Sequence, residues 1–240
     1  MQFVTWFPHY QDIRSKFGYS TEKDQNSAYL LSEKIKNKAL DATVLRKKIE
    51  SKSVIVIGSG PDLENYLPFL KRNRSFVKIV ADGTVKFLIE NGIKPDIVVT
   101  DLDGDAKFLL QAEKLGSVMV VHAHGDNTAI IEKLVPKFKK VFGTTQVMPV
   151  ENVHNYGGFT DGDRGVFLAE EFGAKEIILV GMAFDGEVGE YSKSVQNIEI
   201  KKEKLKIAKK LLQLLAKDSR SDLYDTSQKP VHGFKVFPLK

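Results

Sequence analysis

The sequence predicts an α/β fold: a mostly parallel, doubly wound sheet with a helical N-terminal segment and a C-terminal helix. Three observations support this. Six short runs rich in β-branched residues recur along the middle of the chain: SVIVIG, FVKIVAD, DIVVTD, SVMVVHAH, KKVFG and EIILVG. None alternates apolar with polar residues, which is the pattern of strands buried on both faces. Amphipathic stretches such as TVKFLIENG and DRGVFLAEEFG, the latter stopped by Gly173, separate the runs as β-α units require.

Three zones follow in chain order. Residues 1–50 form a helical N-terminal extension, with Trp6, Phe7, Tyr10, Phe17 and Tyr19 first and a charged helical segment, NSAYLLSEKIKNKALDATVLRKKIES, after them. Residues 51–190 are expected to form the Rossmann-like α/β catalytic core. Residues 191–240 hold a C-terminal helix and a polar loop, then HGFKVFPLK as a candidate final strand. Leu205, Ala208, Leu211, Leu212 and Leu215 recur at helical spacing, so this helix is expected to lie on the core with its lysines in water.

Composition narrows the function. The 240 residues carry 36 basic and 31 acidic side chains, a formal charge of +5. The excess lies largely in the C-terminal helix, with no basic patch interleaved with aromatics, so a nucleic-acid partner is not expected. An anionic small molecule fits the balance. No apolar stretch approaches the ~20 residues of a membrane span, and the N-terminus lacks the pattern of a secretory signal, so the expectation is a cytoplasmic protein with no membrane partner. With no cysteine, thiolate zinc chemistry and disulfides are excluded.

The ends of the runs are more informative than the runs. They give Gly58-Ser59-Gly60, Asp82-Gly83, Asp101 to Asp105, His122 to Asn127, Gly143-Thr144-Thr145 and Gly181 to Gly186. Ligands of open parallel sheets bind outside the carboxyl ends of the strands, so these pieces imply one site. GSGPDLENYL follows a strand and is expected to open a helix, with Gly58, Ser59 and Gly60 offering backbone N–H groups to phosphate. Leu63 stands where the third glycine of a dinucleotide fingerprint would be, and no Walker lysine follows. Asp82-Gly83 is either a capping turn or part of the phosphate site.

TDLDGD places Asp101, Asp103 and Asp105 at alternate positions. A calcium loop of the EF-hand type fails, because Ala106 and Ala112 occupy its required glycine and glutamate places. A haloacid-dehalogenase-type phosphatase resembles it more closely, but Asp105 replaces the threonine and two strands precede the motif. Three close carboxylates repel one another without a cation, and magnesium takes hard carboxylate oxygens while sharing phosphates and water. The expectation is therefore a magnesium site. His122 and His124 alternate and would share one face of a strand. Without cysteine, and with only Asp126 beside them, they suit hydrogen bonding to a phosphate or heterocycle better than zinc. Asn127 belongs to the same cluster. In GGFTDGDRG, Thr160 or Asp161 is the expected N-cap and Asp163 lies in the first helical turn. Asp161 and Asp163 are also candidates to complete the metal set, and Arg164 to contact phosphate. Asp185, on the glycine-rich loop GMAFDGEVG, is a substrate-side candidate.

In this order the blocks resemble a known plan. ADG, KPDIVVTDLDGD and TDGDRGVFLAEEFGAKEIILVGMAFDG are similar to the thiamin pyrophosphokinases. The closer likeness, through GSGPDL, ADG, PDIVVTDLDGD, HAHGDN and GFTDGDR, is to the archaeal 6-hydroxymethyl-7,8-dihydropterin pyrophosphokinase family, over about residues 50 to 190. Thr84 and Gly104 depart from the thiamin-enzyme pattern and argue against thiamin as acceptor. The resemblance implies transfer of diphosphate from ATP to a pterin hydroxymethyl group with release of AMP and with Mg2+, in folate or methanopterin biosynthesis. It makes Asp101, Asp103 and Asp161 catalytic candidates and Asp82, Asp101 and Asp103 metal candidates. Gly58, Ser59, Gly60, Asp82, Gly83, Thr160 and Arg164 become candidates for ATP, and His122, His124, Asn127 and Asp185 for the pterin. Two alternatives stand beside this reading: a nucleotide-sugar glycosyltransferase related to flagellin-modifying enzymes, and a non-catalytic nucleotide-binding module. The terminal helices are candidates either for a homodimer contact or for closing over the site.

Overall fold

The computed structural model describes residues 3–184 and 198–239. Its strands are β1 (Ser53–Ile57), β2 (Val77–Ala81), β3 (Ile97–Thr100), β4 (Val118–Ala123), β5 (Phe142–Thr145), β6 (Val153–His154), β7 (Glu176–Val180), β8 (Asp222–Asp225) and β9 (Lys235–Val236). They form one sheet in the order β6-β5-β4-β3-β2-β1-β7-β8-β9, and every pairing is parallel. The six apolar runs became β1, β2, β3, β4, β5 and β7, and the candidate final strand became β9. Two short strands were not expected. β6 has a mixed sequence, and β8 lies inside the stretch read as a polar loop. In β8 only Leu223 and Asp225 turn inward, so its pairing with β7, rather than apolar content, places it.

Helices enclose the sheet: α1 (Phe3–Phe17), α2 (Thr21–Ile35), α3 (Ala42–Ile49), α4 (Leu67–Arg72), α5 (Asp82–Glu90), α6 (Ala106–Lys114), α7 (Thr128–Leu134), α8 (Asp161–Glu171) and α9 (Ile198–Asp218). α5 and α8 both pack on β2 and β3, one on each face, as the doubly wound class requires. The seat of α8 depends on Gly165, where a Cβ would meet Ile79 Cγ2 at 3.0 Å and Val56 Cγ1 at 3.1 Å. α8 is consequently buried almost throughout, from Gly162 to Ala169. α2 covers β4 and β5, and α9 lies on α8 through the buried Ala208, Leu211, Leu212 and Leu215. No described helix is long and apolar enough to cross a membrane.

The chain runs outward from β1 to β6 on one side and returns to pair β7 with β1 on the other. The sheet therefore reverses its order between β1 and β7, which is where an open parallel sheet leaves a crevice at its carboxyl edge.

Candidate active site

A cavity of about 510 Å³ occupies that edge. It is walled by the tips of β1 to β5 and β7, by the start of α8 and by the first turns of α9. At its centre Asp82, Asp101 and Asp103 each offer an oxygen within 4.8 Å of the others. Local structure holds these carboxylates there. Asp82 is the first residue of α5, with Ala81 as N-cap, and is not itself the cap. Its Oδ2 accepts from Thr100 Oγ1 and from the Gly104 amide, both at 2.9 Å, which ties the β2 tip to the β3 tip. Gly104 is needed for this approach, since a Cβ there would lie 3.0 Å from that same oxygen.

Between Asp101 and Asp103 the chain turns through Leu102 at φ 71°. A left-handed leucine costs roughly 1–2 kcal/mol, and burial of its side chain offsets this. The turn sends the two aspartates toward one centre. Asp105 takes no part, because its Oδ1 accepts from the Lys107 amide as the N-cap of α6. Of the three alternating aspartates, two face the cluster and one caps a helix.

Electrostatics mark the same centre. Burial, then the charges of Asp103 and Asp101, push the Asp82 carboxyl well above the ordinary range. Asp161 is raised by burial and by Asp101 and Asp82. Burial also works against ionised Asp101, but the hydrogen bond and charge of His124 outweigh it and hold this carboxyl down at about 2. A set of hard oxygens whose ionisation is opposed by mutual repulsion is what a divalent cation relieves, so the donor set fits magnesium.

The remaining candidates divide. Arg164 is buried, with Nη1 3.3 Å from Asp161 Oδ1, and Nη2 3.0 Å from His122 Nε2 and 3.1 Å from the Phe159 carbonyl. A guanidinium only donates, so His122 Nε2 accepts and its proton sits on Nδ1, toward Thr144 Oγ1 at 3.2 Å. Burial and the Arg164 charge keep this imidazole neutral, far below its usual range. His124 faces Asp101, Nε2 to Oδ2 at 3.5 Å. Thr160 is the N-cap of α8, and Asp163 completes a capping box by accepting from Phe159 N, Thr160 N and Thr160 Oγ1. Asp163 is thus fully committed to the helix end and stands outside the carboxylate cluster. Asp185 lies outside the described residues.

Three expectations need correction. Gly58 and Gly60 line the cavity, but their amides donate to the carbonyls of Val180 and Gly181, at 2.9 and 2.7 Å. A Cβ at either glycine would come within 2.7 Å of the Gly181 oxygen. These glycines serve the close approach of β1 and β7, and no phosphate cradle is made from their N–H groups. Nor does a helix open there: a 3-10 turn over Leu63–Tyr66 intervenes, and α4 starts only at Leu67. Asn127 is likewise turned inward. Its Nδ2 donates to the carbonyls of Asp101 and His122, at 2.8 and 2.7 Å, and its Oδ1 accepts from the His124 amide and Ser27 Oγ. It positions the β3 and β4 tips.

The cavity also contains residues that motif reading did not single out: Tyr19, Asp24, Gln146, Phe159, Lys201 and Lys204. Asp24, on α2, accepts from Tyr10 Oη at 2.7 Å, Gln146 Nε2 at 2.8 Å and the Gly125 amide at 2.6 Å. Burial lowers the Lys201 ammonium, while the charges of Asp103 and Asp82 pull it back up. The expectation of solvated lysines fails for this end of α9. The available signal was its spacing, since Ile200, Lys201, Lys204 and Leu205 fall on one helical face.

A family model described as 6-hydroxymethylpterin diphosphokinase MptE-like matches residues 26–187. The chain belongs to this family. It is 44% identical over 237 residues to the 6-hydroxymethyl-7,8-dihydropterin pyrophosphokinase of Pyrococcus furiosus, covering 95% of this chain and all (100%) of that one. To the protein of the same name in Methanocaldococcus jannaschii it is 40% identical, covering 90% of this chain and 96% of that one. Among solved structures, the Maf glycosyltransferase of Magnetospirillum magneticum AMB-1 aligns with a TM-score of 0.47 at 15% identity, covering 87% of this chain and 38% of that one. The MptE-like match takes in the Asp82–Asp101–Asp103 cluster, Asp161 and Arg164, and ends before α9.

Proposed function

We propose that the chain moves the terminal diphosphate of ATP to the hydroxymethyl oxygen of 6-hydroxymethyl-7,8-dihydropterin and releases AMP. The observation that carries this reading is the convergence of Asp82, Asp101 and Asp103 at the carboxyl edge of the sheet, inside the MptE-like match. Relatives that align with nearly the whole chain bear the corresponding enzyme name.

In this reaction the substrate hydroxyl oxygen bonds to the β-phosphorus of ATP, the bond from that phosphorus to the α-phosphate oxygen breaks, and the hydroxyl proton leaves. Such transfer relies on positioning and charge stabilisation more than on covalent help from the protein. Asp82, Asp101 and Asp103 would hold magnesium, which supplies positive charge to the phosphates. Burial and the charges of Asp101 and Asp82 favour the protonated form of Asp161, so it would take the hydroxyl proton only with a bound cation offsetting those charges. Arg164 keeps Asp161 oriented. Neutral His122, with both ring nitrogens engaged by Arg164 and Thr144, holds the guanidinium in place, and His124 lines the cavity beside Asp101.

The test is nucleotide chromatography after incubation with ATP, magnesium and 6-hydroxymethyl-7,8-dihydropterin. AMP and diphosphorylated pterin should appear in equal amounts, and chelation of the metal should stop both. ADP as the nucleotide product, or ATP left intact, would overturn the reading.

A further inference from the structure

The strand-edge motifs leave the cavity with an excess of negative charge. Asp82, Asp101, Asp103 and Asp161 face it, and the guanidinium beside them is already engaged with Asp161, His122 and the Phe159 carbonyl. A polyphosphate brings further negative charge to the same place. Among the described residues the lysines lining the cavity are Lys201 and Lys204, and both come from α9. Lys201 lies close enough to Asp103 and Asp82 to feel both charges. Lys204 Nζ sits 5.9 Å from the ring centres of both Tyr19 and Phe159, at the cavity wall.

This end of α9 is docked in place. Glu203 pairs with Lys16 of α1 and, at 2.6 Å, with Lys206 of its own helix. The buried Ala208, Leu211, Leu212 and Leu215 hold the following turns on the body of the protein. Ile200 and Leu205 flank the two lysines on the cavity side. The result is a positively charged stretch of the cavity wall, built from a helix that lies beyond the residues matching the family model.

We propose that Lys201, seconded by Lys204, contacts the phosphates of the nucleotide from the α9 wall of the cavity that holds Asp82, Asp101 and Asp103, so that α9 completes the polyphosphate site. Which phosphates are touched rests on the diphosphotransfer reading; recognition of a polyphosphate does not. A half-buried ammonium beside a transferring phosphoryl group stabilises the charge it carries in the transition state.

The experiment compares wild type, Lys201→Ala, Lys201→Gln and Lys201→Arg in AMP formation. It also measures binding of magnesium tripolyphosphate by calorimetry. Lys201→Ala and Lys201→Gln should lose roughly 10²-fold in kcat/KM for ATP, the scale of one transition-state donor. The KM for the pterin should stay within about twofold, and Lys201→Arg should recover part of the loss, as charge replacement would. Lys204→Ala should show a smaller loss in the same direction. Unchanged kcat/KM for ATP in whichever neutral variant folds, or a loss confined to the pterin KM, would overturn the proposal. Should wild type release no AMP, the diphosphotransfer reading fails while the calorimetry still decides: affinity for tripolyphosphate tenfold weaker in Lys201→Gln supports the proposal, and equal affinity, or no binding by wild type, overturns it.

Discussion

The two sides of the cavity are built in different ways. The carboxylate side comes from contiguous motifs at neighbouring strand tips, with Asp82 and Asp101 just past the ends of the adjacent strands β2 and β3 and Asp103 a single turn away. The opposite side joins Tyr19 and Asp24 near the N-terminus to Gln146 after β5 and to Lys201 and Lys204 on α9. Asp24 and Gln146 are 122 positions apart in sequence and 2.8 Å apart in space. A charge cluster at a strand end violates the ordinary rule for buried elements and shows itself locally. A binding wall made by docking amphipathic helices breaks no local rule.

The contrast can be broken or sharpened by substitution. The largest effect is expected on the carboxylate side. Asp101→Asn and Asp103→Asn should each lower AMP formation by about 10³-fold, with the melting temperature little changed, since neither side chain is fully buried. Turnover near wild type in both would remove the cluster from the chemistry. On the opposite side, Asp24→Ala should act first through stability. It strands the donors Tyr10 Oη, Gln146 Nε2 and Gly125 N. A loss of about 3 kcal/mol is expected, read as a fall of roughly 6–12 °C in Tm for a domain of this size. A melt matching wild type would mean that α2 is held by other contacts.

The smallest effect is expected at Thr84, which marks the departure from the thiamin-enzyme pattern. Its hydroxyl is buried without a hydrogen-bond partner. Thr84→Val keeps the shape and removes the orphan, so stability should stay level or rise by up to about 1 kcal/mol. A clear loss in a thermal melt would show that the hydroxyl has a partner in solution.

How far the site was legible varied residue by residue. Asp82, Asp101, Asp103, Asp161, His122, His124 and Arg164 do converge on the cavity. Asp105 and Asp163 looked equivalent to the other aspartates in sequence, yet both are occupied at helix N-termini. A carboxylate that caps and one that faces a site share the same neighbours in sequence; only the direction of the side chain separates them. Gly58 and Gly60 carry a similar ambiguity. Glycine permits both a phosphate contact and a tight strand approach, and here the Val180 and Gly181 carbonyls take the amides. Asn127 read as a ligand contact because it ends a polar cluster, but its four hydrogen bonds all close on the protein.

By itself the sequence determined the six main strands, the edge on which polar groups gather and the family to which the chain belongs. Each follows from short-range rules: β-branched runs that must be buried, glycine and aspartate where runs end, and blocks in a specific order. Tertiary structure alone decided which aspartates share a centre and which glycine amides are already engaged. It also decided that two lysines of an ordinary amphipathic helix line the same cavity as the carboxylates. Those outcomes depend on how elements far apart in the chain pack together, and packing sets side-chain direction to within a few ångströms where sequence spacing cannot.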